Sequence, residues 1–512
     1  MSADELLLGI DVGSYSSKGV LTTLDGVVVA SHAVDHDIDL PRPGWAQQDA
    51  DAVWWHDIVA IARHLGAKAM GDGDHIIAVG ISAIGPCLLP VDALGRPLGP
   101  AILYGVDARA REQIKAMNQR AGAESIAEFS RMELSSQAVG PKLWWLREHQ
   151  PQIWKDAAGF ATATSYLVAR LTGRNVMDHH TAAHWMPFYD PESNAWSGAI
   201  FDEADVLERL PELGWADELA GTLTPEAAQV TGLPEGLPVA VGTVDALSEG
   251  LGVGVRDPGD LMIMYGSTAF FILRTSNPVI RSGMWCLPGA FAGEQVLAAG
   301  MATSGAVTRW FRDGFARELP EDQAYHRLFD EALDVPAGAR GLLALPYFSG
   351  ERTPISDPDA RGVIAGLSLS HGRADVFRAL LEGVAYGIRH NLEAMSSEQQ
   401  PIERAVAVGG GTRSETWLRI VSDASGRTQQ VPRQTIGASY GDAYLAGLAA
   451  GSVDPEDRWA QIATEVVPDP GARATYDRGF GRYKELYLGT REVIHGLSRD
   501  ESDWSHIGVA GE

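Results

Sequence analysis

Two cysteines, Cys87 and Cys286, are all that the 512 residues carry, and no CxxC pair can be built from them. Each has apolar neighbours, and a reducing cytoplasm suits them better than a single disulfide. Positive charge is also short. Lys and Arg number 41 against 67 Asp and Glu, a formal net charge of −26, and no basic stripe interrupts the excess. Such a field repels nucleic acid and anionic lipid, so neither is expected as a partner. A long apolar run is missing: the longest, LMIMYGSTAFFIL, is too short to span a bilayer. The opening MSADELLLGIDVG has acidic residues where a secretory leader needs basic ones. A cytoplasmic location is therefore expected. An anionic substrate would have to be held by local donors and by Mg²⁺, because the global field opposes it.

What is there is an ordinary globular composition, 45% hydrophobic and 21% charged, in a chain longer than one core usually serves. Two large domains are expected. From Leu6, LLLGIDVG reads as a buried strand, SYSS as a turn, KGVLTTL as a returning strand, Asp25-Gly26 as a tight turn and VVVASHAV as a third strand. A helix around Ala50 to Leu65, a strand at IIAVGISA and an amphipathic helix through Lys142 to His149 follow, the alternation of a mixed α/β sheet covered by helices. Residues 260 to 273 repeat the opening: strand, Gly-Ser-Thr turn, returning strand. Gly13-Ser14 and Gly266-Ser267 then occupy equivalent positions in two similar α/β domains facing each other across a cleft. The boundary falls at Val253 to Pro258, where VGVRDPGD supplies turn residues. Val376, Leu380, Val384, Ile388 and Leu392 recur at four-residue steps and predict a long helix, on which Gly383 and Gly387 would admit another backbone. The tail after Ser498 lacks periodicity and is expected to fray.

Three glycine turns could meet phosphate. In the first, Asp11, Gly13, Ser14, Ser17 and Lys18 crowd a hairpin: glycine admits backbone N–H groups, hydroxyls and Lys18 add donors, and Asp11 could hold Mg²⁺ through water. A polar hairpin with a buried acid is the plain alternative. Gly266, Ser267 and Thr268 form the second. In the third, an apolar strand ends in Gly409-Gly410-Gly411 and a helix begins near Ser414, an order that offers free N–H groups and a favourable dipole; a tight packing turn is its alternative. The catalytic candidate is Asp245 in VAVGTVDALSEGLGVG, placed to take a proton from a substrate hydroxyl. An Asp at a strand end also serves as a cap, and its position just ahead of the second turn is what favours chemistry. Asp178, His179, His180 and His184 in MDHHTAAHW invite a zinc reading, which the missing Glu of HExxH weakens. Trp54-Trp55 and Trp144-Trp145 could stack on sugars, but their helical spacing favours packing.

Together DVGSYSSK, GTVDA, YGST, GGGTRS, LPYFSGERTP and GVIAGLSLSHGRADVFRALLEG, in that order over nearly the whole chain, resemble the FGGY carbohydrate kinases, xylulokinases in particular. The resemblance implies two ribonuclease-H-like domains of the actin-like ATPase fold, with Mg·ATP in the cleft and phosphoryl transfer to a sugar hydroxyl after closure. It further implies an N-terminal domain over 1–254 with sugar and base, a nucleotide-binding domain over 255–495 and a tail over 496–512. Asp245 would be the general base and Asp11 would lie beside the metal. Gly13, Ser14 and Lys18 with Gly266, Ser267 and Thr268 would face the phosphates, while Gly410, Gly411 and Ser414 face the nucleoside. Asp178 falls on a family Asp in a loop without metal.

The match breaks at the sugar. Where xylulokinases carry Met-His after the strand equivalent to AVGISA, this chain has Gly85-Pro86, and Ala246 stands where they carry Asn beside the base. Two polar contacts are lost, the kind of change that alters specificity most. Tyr104, Asp107 and Arg109 in YGVDAR are expected to line the altered pocket, with Trp45 and Gln48 closing it from another side. D-Xylulose is the nearest substrate by kinship; another ketose, a deoxy sugar or a polyol fits about as well. Two other readings of the same fold are an ATP-driven binding module, for which no peptide-binding region follows the core, and a sugar sensor without transfer, against which Asp11 and Asp245 stand. A homodimer is the commonest arrangement for such an enzyme.

Overall fold

A computed structural model describes residues 4–507. In chain order, the elements that matter begin with strands β1 (Glu5–Val12), β2 (Ser16–Thr23) and β3 (Val28–Asp35), helix α1 (His56–Asp72), strand β4 (His75–Ala83) and helix α2 (Gly140–His149). Strands β5 (Leu219–Thr222), β6 (Pro238–Ala240) and β7 (Thr243–Val244) lead into helix α3 (Asp245–Gly252). Strands β8 (Asp260–Tyr265) and β9 (Ala269–Thr275), helices α4 (Gly305–Phe315) and α5 (Arg373–Met395), strand β10 (Arg404–Val408) and helix α6 (Glu415–Ser425) come next. Strand β11 (Gln429–Pro432), helix α7 (Ala438–Ala449), strand β12 (Ile462–Val466) and helix α8 (Arg473–Ile507) complete the set.

The chain folds into two compact units that interleave in sequence: one takes residues 1–256, 286–296 and 436–460, the other 257–285, 297–435 and 461–512. In the first, the sheet runs β5-β6-β4-β1-β2-β3, with β7 also pairing β4. The antiparallel meander predicted at the start is present, β1 on β2 and β2 on β3. β4 lies parallel to β1, and β7 parallel to β4. Alternate apolar residues of these strands, among them Leu6, Leu8, Ile10, Val79 and Ile81, bury against Ile58, Ile61 and Leu65 of α1. The other face carries α7 at backbone contact. A Cβ on Gly9 would fall 2.0 Å from the Ser439 carbonyl oxygen, and one on Gly80 would fall 1.9 Å from that of Asp442. Only glycine lets a helix sit that close to a sheet.

The second unit repeats the scheme, with β9-β8-β10-β11-β12 consecutive in a seven-stranded sheet. β8 and β9 are antiparallel, and β10 lies parallel to β8. Its core gathers Phe377, Leu380, Val384 and Ile388 of α5 against Leu261, Ile263 and Leu273 of the sheet. Gly383 meets the Ala344 backbone, as the spacing predicted, whereas Gly387 meets the Met301 side chain.

Two local expectations are corrected. α2 is not amphipathic: residues 140–146 are all buried, Lys142 included. Its aromatic pair packs inward against neighbours on several sides, and only the last turn, Arg147 to His149, reaches solvent. Residues 496–507 do not fray into a structureless tail but continue α8; residues 508–512 lie outside the described residues.

Candidate active site

Three parallel strands bring together side chains far apart in sequence. Asp11 of β1 stands level with Ser82 of β4, and Ser82 level with Thr243 of β7, so Asp245 follows at the same sheet end. The crevice beyond the C-terminal ends of parallel strands is where α/β sheets bind ligands. Ser82 Oγ lies 3.1 Å from Asp11 Oδ1 and 2.8 Å from Asp442 Oδ2 of α7. Ser248 Oγ of α3 lies 2.6 Å from Asp442 Oδ1. Burial first, then the charges of Asp245 and Asp442, push the Asp11 carboxyl well above the usual range, against the Ser82 hydrogen bond. Burial does the same to Asp442, opposed by the two serine hydroxyls.

Asp245 opens α3, where the helix dipole favours negative charge. Among the described residues its one hydrogen bond comes from the Ala246 N–H to Oδ1, at 2.7 Å, leaving Oδ2 for another donor. Burial pushes it up to about 6. Glu249, one turn along α3, is pushed up to about 7 by burial and by Asp245, with Lys18 acting in the opposite sense. Glu249, Ser82, Ser248 and Asp442 were not among the expected site residues. The four-residue step from Asp245 to Glu249, and one Asp inside the apolar run ASYGDAYLAGLAA, were the available signals.

The first glycine turn is closed by the Gly13 N–H on the Ser16 carbonyl, 3.0 Å, and Ser14 Oγ lies 2.9 Å from Tyr104 Oη. Lys18, opposite Asp11, is exposed. Ser17 points to the other face, where its hydroxyl donates to Asp57 at 2.8 Å. It is therefore not at the turn's open side, because neighbours on a strand alternate faces.

In the second unit the two remaining glycine sites adjoin, since β8 and β10 run parallel and end side by side. A Cβ on Gly409 would strike the Tyr265 carbonyl oxygen at 2.8 Å, while Gly410 has open space around it. Gly266 and Ser267 carbonyls accept from the Ser304, Gly305 and Ala306 N–H groups at 2.8–3.0 Å, fixing the turn against the start of α4. Thr303 Oγ1 and Ser304 Oγ are buried there without a protein partner. Ser414 Oγ is occupied as the cap of α6, accepting from the Trp417 N–H at 3.2 Å.

Of the residues expected at the sugar, Asp107 and Arg109 form a buried pair: Arg109 Nε donates to both carboxylate oxygens at 2.9–3.0 Å, and the Ala46 N–H adds a third bond at 2.7 Å. The guanidinium lies 4.1 Å from the Trp45 ring centroid and 5.1 Å from that of Trp145. Gln48 is spent internally, donating to the Ser14 and Asp37 carbonyls and accepting from Trp54 Nε1. These three brace the wall, leaving Tyr104 and Trp45 partly exposed. Gly85 presses on Val244, where a Cβ would fall 2.6 Å from Cγ1. Asp178 caps the helix His179–Ala183 and accepts from Thr243 Oγ1 at 2.9 Å. Burial takes His184 down to about 3. Trp54, Trp144 and Trp145 are core residues.

The pattern of the FGGY family of carbohydrate kinases matches this chain over residues 6–252 for the N-terminal domain and 261–450 for the C-terminal domain. The chain belongs to that family. It is 28% identical over 501 residues to the xylulose kinase of Escherichia coli (strain K12), covering 94% of this chain and 98% of that protein. It is also 28% identical to glycerol kinase 2 of Streptomyces avermitilis, covering 88% and 89%. The crystal structure of xylulose kinase from Rhodospirillum rubrum superposes with a TM-score of 0.87 at 28% identity, over 96% of this chain and 100% of that one. The fold is the actin-like ATPase fold, and the protein is a carbohydrate kinase that uses ATP with Mg²⁺.

The residues fit those ligands. Asp11 is an acid whose burial calls for a counter-charge, and the orphaned Thr303 and Ser304 hydroxyls beside an open glycine turn suit phosphate oxygens. Among the described residues no three acidic, His or Cys side chains converge into a metal cage. Mg²⁺ held by one carboxylate, water and phosphate needs none. No helix among them is long and apolar enough to cross a membrane.

Proposed function

We propose that the chain transfers the γ-phosphoryl group of ATP to a hydroxyl of a ketopentose such as D-xylulose, or of a related sugar or polyol, with Asp245 as general base. The observation that carries this is the convergence of Asp11, Ser82 and Asp245 at one sheet end, with Asp245 Oδ2 unpartnered among the described residues. A carboxylate held near 6 is ionised at neutral pH yet basic enough to accept a hydroxyl proton as the bond to phosphorus forms. Mg²⁺ bound with the nucleotide neutralises charge on the phosphoryl oxygens. Asp11 takes the metal side, through water. Gly13, Ser14 and Lys18, and in the second unit Gly266, Ser267 and Thr268, take the phosphates; Gly409, Gly410 and Gly411 take the nucleoside. Residues 1–254 carry sugar and base, and 255–495 the nucleotide. Trp45 and Tyr104 face the sugar, against a wall made less polar by Gly85-Pro86 and Ala246. A cytoplasmic homodimer is the expected form.

Relatives at the same identity that act on xylulose and on glycerol leave the acceptor to experiment. Release of ADP is measured across a panel of ketoses, aldoses and polyols. ADP formation dependent on one ketopentose supports the reading; slow release independent of every acceptor replaces it with an ATPase.

A further inference from the structure

Ser17 turns away from the first glycine turn and leads to a buried cluster that the proposed chemistry does not use. Asp57 Oδ2, which accepts from Ser17 Oγ, is also 2.7 Å from His36 Nδ1. His36 Nε2 is 3.0 Å from the Gly13 carbonyl oxygen. His56 Nδ1, from the same helix as Asp57, lies 3.1 Å from Asp57 Oδ1. A carbonyl only accepts, so Nε2 carries a hydrogen; an ionised carboxylate only accepts, so Nδ1 carries one too. A neutral imidazole has a single N–H and could serve only one of the two. Placing the proton on Asp57 instead would waste acceptor capacity that Ser17 and His56 already address, and hydrogen bonds to the charged form favour that form. The side chains of His36 and Asp57 are only 7% and 3% exposed, so solvent screens the pair little. Burial alone would strip the ring of its proton, but the bonds to Asp57 and Gly13 outweigh it.

We infer that His36 and Asp57 form a resident imidazolium–carboxylate pair whose cation lies beneath the Gly13-Ser14 turn, fixes its backbone and adds positive charge to the seat for the nucleotide's phosphates. The inference rests on the proposed phosphate role of that turn. His36 is a positioning residue: it touches the turn, not the substrate. In a chain of net charge −26 with His neutral, the proton on His36 cancels the Asp57 charge near the turn and leaves the positive end of the pair toward the turn.

The test uses the full chain with Mg²⁺ and ADP. Imidazole ¹⁵N–¹H spectra at pH 6.5, assigned by difference from H36Q, should show both His36 nitrogens protonated. H36Q keeps a donor for Gly13 without the charge; its ADP affinity by calorimetry should fall about three- to tenfold, while KM for the sugar stays within about twofold of the parent. S17A removes one bond to Asp57 and should weaken ADP about twofold; if H36Q does not fold, an S17A affinity equal to the parent's overturns the inference. G13A, whose Cβ would press on the Ser16 carbonyl oxygen at 2.8 Å, reports on the turn itself. If G13A leaves ADP affinity unchanged, the phosphate role of the turn falls and the inference with it. If G13A weakens ADP and H36Q does not, or if His36 carries a single proton, the inference alone falls.

Discussion

Burial holds the Asp245 proton to about pH 6, against 3.8 for the free side chain, so the native protein at neutral pH carries an ionised group it would bind more favourably as the acid. The difference is worth roughly 3 kcal/mol at 1.36 kcal/mol per pH unit; the residue is only half-buried, which lowers this to about 2 kcal/mol. Because the folded value is raised, the penalty is complete above about pH 6, declines as the pH falls and is gone below about 3.8. Asn cannot ionise. Asp245→Asn should therefore melt a few degrees higher than the parent at pH 8, with the gap shrinking to about one third at pH 4.5. The same variant should lose about 10²–10⁴ in turnover if the carboxylate is the base, while Mg·ADP affinity changes little. Scanning fluorimetry at the two pH values and a coupled ADP assay measure both. Equal melting at pH 8 would refute the burial argument, and retained turnover would remove Asp245 from its assigned role.

Two further outcomes follow from the same geometry. For the unaltered enzyme, kcat/KM should fall about tenfold per pH unit below 6, reaching about one tenth of its plateau at pH 5; a profile flat to pH 4.5 would mean a base with an ordinary carboxylate value. In α7, a Cβ on Gly441 would lie 1.9 Å from the Ser248 carbonyl oxygen, so Gly441→Ala should cost about 3 kcal/mol or more, read as lost soluble yield or a lower melting point. A parental melting curve would show that α3 and α7 can separate without penalty.

The repeated strand–turn–strand units were legible because apolar runs broken by Gly-Ser turns have few other solutions, and the place of Asp245 at a strand end was legible from the apolar run before it. Ser17, Gln48 and Ser414 were harder for three separate reasons. A strand's alternation says that Ser17 and Lys18 face opposite ways but not which of them faces the ligand. An amide such as Gln48 serves a carbonyl as readily as a sugar. A Ser before a helix satisfies both a phosphate reading and a cap reading, and Ser414 is a cap. Asp442 was hidden because α7 reads locally as an apolar helix, and its place against Ser82 depends on glycines hundreds of residues away.

The seating of α7 on β1 and β4 also sets a schedule for synthesis. The first unit closes only with residues 436–460, so a nascent chain that has emerged as far as Arg256 holds a sheet with one bare face. At about 5–20 residues per second, on the order of 10–40 s pass before the covering helix leaves the ribosome. During that interval Leu7, Val20 and Ala78, which α7 later buries, are open to solvent. A cell making this protein must guard that surface or produce it slowly enough that neighbouring chains do not find it first.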